Sequence, residues 1–150
     1  MNRIHMTDSN FAEQVIKYIV SCSTEELGDL TILNVAEKMG ISQSHLYFIF
    51  QKEKKIPPGR FLMFIKMHRA AAILENNETL SVKRVAGKMG FSSTDYFIRV
   101  FKESFGTTPG KYRTYCLQSP KPDHSPESLR KTIKKAAPKT VKRRRPITKR

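Results

Sequence analysis

The chain has 150 residues, with 28 Lys and Arg against 13 Asp and Glu and a formal net charge of +15. That length allows about one domain or two very small ones, and the charge points to a polyanionic partner, nucleic acid ahead of acidic membrane surfaces. Two cysteines argue against a disulfide framework and for a reducing compartment; no apolar run near the N-terminus has the length of a signal peptide, and Lys, Arg or Glu interrupts every long apolar segment, which argues against a membrane span.

The charge is unevenly placed. Residues 1–115 hold 16 Lys and Arg against 11 Asp and Glu, whereas residues 116–150 hold 12 against 2, so the last part carries +10 of the +15. Residues 1–8 read as a flexible leader. A first helix is expected to begin at Asp8 or Ser9, either of which can cap orphan N–H groups. Phe11, Val15, Tyr18, Ile19 and Cys22 then fall on one face of it. Ser23 to Asp29 is polar and reads as a connection. Thr31 can cap the next helix, Gly40 ends it in a left-handed conformation, and Ser42 caps a further helix to about Lys54. Pro57-Pro58 stops that helix, and Pro58 suits the first turn of a new one running to about residue 76. The new helix is apolar almost all round (Phe61, Leu62, Phe64, Ile65, Met67, Ala70, Ala71, Ala72, Ile73, Leu74), as expected for a connector buried on more than one side. Ser81, Gly90 and Ser92 or Ser93 then repeat the earlier punctuation, with a helix to about Phe105.

The repetition extends to the residues themselves. Residues 30–50 read LTILNVAEKMGISQSHLYFIF and residues 80–101 read LSVKRVAGKMGFSSTDYFIRVF. Each copy spells a short helix, a tight turn at Gly and a second helix starting at Ser. That is a helix-turn-helix, whose second helix enters a DNA major groove. The second copy has one extra residue after the shared Ser. The exit turns also match, Thr107 to Arg113 against Ile56 to Leu62. The expected fold is all-α, with at least seven helices and no strands: a first helix-turn-helix subdomain at 9–56, a linker helix at 57–77, a second subdomain at 78–115 ending near Tyr115, and a disordered basic tail at 116–150. Within that tail, Ser125 to Ala137 has the pattern of a helix that forms on binding. A linker of about 18 residues spans roughly 27 Å, against about 34 Å between successive major grooves.

Helical phasing assigns the groove-facing residues. In the first unit Gln43, Ser44, Tyr47 and Phe48 point outward, with Leu46, Ile49 and Phe50 inside. In the second, Thr94, Asp95, Ile98 and Arg99 point outward, with Phe97, Val100 and Phe101 inside. Arg99 is the leading base contact, because guanidinium reads guanine bidentately; a phosphate clamp is its plainer role. Asp95 either accepts from cytosine or orients Arg99, four residues on. His45, like Tyr96, belongs at the core edge in a packing or capping role.

The doubled motif, the apolar linker helix and the closing Phe105-Gly106-Thr107-Thr108-Pro109-Gly110-Lys111-Tyr112-Arg113 resemble the AraC/XylS family of bacterial transcription regulators. Gly90-Phe91-Ser92 and Tyr96-Phe97-Ile98-Arg99-Val100-Phe101-Lys102 carry the likeness most specifically. The resemblance covers about residues 11–115. It implies a cytoplasmic, nucleoid-associated monomer that binds double-stranded DNA at an asymmetric promoter site and recruits RNA polymerase, usually as an activator. Most family members place a large sensor domain before this module; with about ten residues there, the chain is similar to the small stand-alone activators of antibiotic and oxidative-stress resistance, which have no small-molecule effector domain. The family usually has a basic or polar residue where this chain has Phe48. Three readings of Phe48 stay open: contact with a thymine methyl, a protein contact, or a core position.

Two other readings of the whole chain are a non-specific architectural DNA binder dominated by the tail and an interaction protein acting on RNA polymerase or another regulator. His5, His68 and His124 form no zinc-site spacing with the cysteines. Cys116 has a loosely electropositive setting but no base partner, which favours an incidental thiol. Neither a Gly-rich phosphate loop nor a Ser-His-Asp arrangement is present, so no enzyme activity, metal or cofactor is expected.

Overall fold

A computed structural model describes residues 7–119 together with 125, 127, 128 and 131. The leader before residue 7 and most of the basic tail lie outside the described residues; of the segment 125–137, residues 127, 128 and 131 are helical, and Ser125 Oγ accepts from the Ser128 N–H at 3.2 Å. Helix α1 (Asp8–Ser21) begins where expected, but its cap is Thr7, whose hydroxyl accepts from the Asn10 N–H. The segment read as a connection is instead helix α2 (Thr24–Asp29). A reciprocal capping box makes it: Ser23 Oγ accepts from the Glu26 N–H at 3.2 Å, and Glu26 accepts from the Ser23 N–H at 2.7 Å.

Helix α3 (Ile32–Lys38) carries a second capping box, between Thr31 and Asn34. Gly40 follows at φ 69°, where a side chain would be strained. Ser42 then caps α4 (Gln43–Lys54), and Pro58 opens α5 (Pro58–Asn76). The second copy repeats the plan. Ser81 caps α6 (Val82–Lys88), Gly90 turns the chain at φ 80°, and Ser93 rather than Ser92 caps α7 (Thr94–Phe105). That choice of cap absorbs the extra residue of the second copy. Helix α8 (Pro109–Gln118) runs three residues past the expected end of the folded part. Eight helices span residues 8–118, and no strand is present among the described residues.

These helices bury two apolar cores. The first gathers Val15, Ile19, Leu27, Val35, Leu46 and Phe50; the second gathers Val85, Ala86, Met89, Phe97, Phe101 and Tyr112. Helix α5 serves both, which is why it is apolar all round. Its first half gives Phe61, Leu62 and Ile65 to the first core, and its second half gives Met67, Ala70, Ala71 and Leu74 to the second. Aromatic rings finish the second core: Phe101 sits 5.8 Å from Phe97, 4.6 Å from Phe105 and 5.4 Å from Tyr112, centroid to centroid. His68 of α5 sits between Phe64 and Phe105, tilted to the first at 4.3 Å and edge-on to the second at 5.1 Å, centroid to centroid. Helix α8 is tied back at two points: Tyr112 donates to the buried Glu75 at 2.6 Å, and Arg113 donates to the Leu80 and Glu78 carbonyls.

Candidate nucleic-acid interface

A groove-reading helix must show a polar or basic face while its other face is anchored. In α4 the anchors are Leu46, Ile49 and Phe50, all buried as phased from sequence. Gln43, Ser44, Tyr47 and Phe48 are exposed on the opposite face. Phe48 is 60% exposed, which removes the core reading for it. Tyr47, at 43%, divides its surface: its hydroxyl lies 3.5 Å from where a Cβ on Gly59 would be, so it leans on the first turn of α5. His45 is exposed rather than packed at the core edge.

In α7 the anchors are Phe97 and Phe101, with Val100 only half-buried. Asp95 and Arg99 are exposed as expected. Ile98 departs from expectation: it is half-buried and packs against the second core, since its aliphatic side chain gains by leaving water. Thr94, in the first turn, is also half-buried. The residue missed from sequence is Tyr96, 45% exposed, with the Arg99 guanidinium 5.1 Å from its ring centroid. No ion pair joins Asp95 to Arg99 among the described residues; the group beside the Arg99 guanidinium is the tyrosine, three residues back on the same face. That spacing was the available signal.

The first unit has a charged shoulder beside Phe48. Lys52 Nζ lies 6.0 Å from the Phe48 ring and 2.7 Å from Asp8 Oδ2 of α1. The Lys52 ammonium, donating to Asp8, holds the Asp8 carboxyl below its usual range, and Asp8 in turn raises Lys52. Lys54 pairs with Glu13 of the same helix. Two ion pairs thus brace the C-terminal half of α4 against α1, and the exposed residues of its N-terminal half stand clear of them.

The thiols are not part of this surface. Cys22 and Cys116 are both buried, and burial pushes each thiol above its usual value, so Cys116 lacks the exposed electropositive setting considered from sequence. No cluster of three or more His, Cys, Asp or Glu able to hold a metal occurs among the described residues. No helix among them is long and apolar enough to cross a membrane.

Two helix-turn-helix units on one shared helix, each with an anchored second helix and an exposed outer face, define a double helix-turn-helix DNA-binding module. The family described as a helix-turn-helix domain matches residues 35–115, and the chain belongs to the AraC/XylS-type transcription regulators. It is 32% identical over 114 residues to the Msm operon regulatory protein of Streptococcus mutans, covering 73% of this chain and 40% of that protein. It is 31% identical over 117 residues to the probable transcription factor PqrA of Proteus vulgaris, covering 73% of this chain and 94% of PqrA. The transcriptional activator AggR of Escherichia coli is 33% identical over 85 residues, 57% of this chain and 30% of AggR. The chain therefore spans well under two thirds of some relatives and nearly all of another. Among solved structures, the C-terminal domain of AraT, a response regulator from Geobacillus stearothermophilus, superimposes with a TM-score of 0.64 at 26% identity, covering 81% of this chain and 96% of that one.

Proposed function

We propose that the chain is a sequence-specific transcription activator that binds an asymmetric promoter site as a monomer, with α4 and α7 in successive major grooves. The carrying observation is that one helix is a structural member of both cores. At 19 residues, α5 is about 28 Å long, close to the groove repeat of about 34 Å. Arg99, held over Tyr96, reads guanine in the second groove, with Asp95 beside it. Gln43 and Ser44 supply polar contacts in the first, and Phe48 meets a thymine methyl there. Thr94, at the start of α7, and Tyr47, leaning on α5, complete the two faces; Ile98 contributes its exposed part. Likeness to AggR, named a transcriptional activator, supports activation; contact with RNA polymerase in the bacterial nucleoid is what the family resemblance implies. Residues 116–150, with +10 of the charge, act as an electrostatic arm along phosphates.

A mobility-shift titration on promoter fragments with excess random competitor DNA tests this. Retention of particular fragments under competition is expected. Binding that competitor erases would indicate an architectural binder, and no binding to DNA alone at low salt would indicate a protein-directed role.

A further inference from the structure

Helix α2 buries Leu27 in the first core, yet its outer side also lies against the second unit. A Cβ at Gly28 would fall 2.2 Å from the Lys88 carbonyl oxygen, and one at Gly90 would fall 2.1 Å from the Gly28 carbonyl oxygen. Side-chain carbons essentially never come within 3.0 Å of such atoms, so two backbones meet here with no side chain between them. Gly90 is needed for its positive φ in any case. Gly28 is not: it sits inside a helix without a left-handed φ, where glycine is a poor helix former. Its fit to the contact is the physical reason for glycine there.

Polar groups from α5 fasten the same contact. Lys66 Nζ donates to the Gly28 carbonyl at 3.1 Å. Arg69 donates to the Cys22 carbonyl at 3.2 Å and to Thr24 Oγ1 at 3.4 Å, at the other end of α2. At the exposed edge Glu25 and Lys88 lie 3.6 Å apart, one from each unit. A shared helix sets the distance between two bodies and, through the faces it buries in each core, their first relative rotation, but a single packed helix leaves room for twist and rocking about its axis. A second attachment, off the helix axis, fixes the rotation, and α2 on the α6–α7 turn is such an attachment.

We infer that the α2 attachment, the Gly28–Gly90 contact together with its Lys66 and Arg69 fastening, holds the rotation of α7 relative to α4, and so selects one spacing between the two halves of the duplex DNA target. The inference rests on the two-groove reading above. Its sensitivity follows from the duplex: at 10–10.5 base pairs per turn, one inserted pair turns the second groove by about 35°. A contact with no slack cannot absorb that turn.

Two measurements test it. First, nitroxides at Gln51→Cys and Glu103→Cys, both exposed sites on α4 and α7, report the inter-helix distance by pulsed electron resonance, since the native cysteines are buried. A single narrow distance is expected, shifted or broadened by Gly28→Ala. Second, a duplex enriched by the native protein from a randomised library is re-spaced by one or two base pairs between its protected halves. The native protein should lose about tenfold or more in affinity per inserted pair, whereas Gly28→Ala should show a shifted or flattened spacing profile with unchanged affinity for either half alone. A folded Gly28→Ala with the native spacing profile would overturn the inference, whatever the distance does. If that variant does not fold, Lys66→Met with Arg69→Met releases the polar fastening without a clash, and a native spacing profile in it overturns the inference equally. A native protein that binds one half as tightly as two removes the two-groove reading itself, and the inference with it.

Discussion

Replacing Arg99 separates reading of bases from attraction to phosphate. The guanidinium is exposed on α7 and lies over the exposed Tyr96 ring, a stack worth about 0.5–1 kcal/mol at such a site. A bidentate contact with guanine contributes about 1–3 kcal/mol of discrimination. Arg99→Ala should therefore weaken binding to a selected site by about 5- to 150-fold. Its effect on random DNA should be that of one lost phosphate neighbour, a change of about 1 in the salt slope. Arg99→Lys keeps the charge but not the planar fork, so it should lose selectivity at one or two base pairs while retaining random binding. Tyr96→Leu removes only the orienting ring and should cost about 2- to 5-fold. Fluorescence anisotropy on selected and scrambled duplexes at fixed salt measures all three. Equal losses on both duplexes for Arg99→Ala, with full rescue by Lys, would make Arg99 a phosphate contact and refute the reasoning.

Ile65 is buried in the first core on the shared helix, so Ile65→Asp should cost at least about 3 kcal/mol and lower the melting temperature; an unchanged melting temperature would show that α5 is not that core's wall. Tyr112→Phe deletes the hydrogen bond to buried Glu75 and should cost about 1–3 kcal/mol in urea unfolding. Burial, reinforced by Glu75, raises the Tyr112 phenol well above its ordinary value. The stabilisation is thus full below the unfolded phenol's pKa of about 10 and declines above it, so the difference between native and variant should narrow only in strong alkali. Deleting residues 119–150 should flatten the salt dependence of DNA binding by roughly 4 to 5 units if about four to six tail cations reach phosphates, while preference among sites persists; superimposable slopes would remove the arm.

Most of the fold was legible because its signals are local. Thr31, Gly40, Ser42, Pro58, Ser81, Gly90 and the apolar periods each act within a few residues, and the duplication let one copy check the other. Helix α2 escaped because six residues are too few to show a period and Gly28 reads as a breaker; its Ser23-x-x-Glu26 box was the usable signal. The outer faces were legible to within one helical step. Ile98 and Tyr96 exchanged roles because phasing assigns a direction, whereas the rotamer and neighbouring surface decide how much of a side chain stays wet. Phe48 could be placed only once its exposure was known. The Gly28–Gly90 contact joins residues far apart in sequence, and no short-range pattern encodes such a contact.

The central claim is that the two units read two adjacent grooves from one side of the duplex. Hydroxyl-radical footprinting of the full chain on a site selected from a randomised library tests it most directly. The account predicts two protected segments centred about 10 base pairs apart on one face, both persisting under competitor DNA, with Arg99→Ala weakening one segment more than the other. A single protected segment of about half a turn, or uniform protection that moves with competitor, would contradict it.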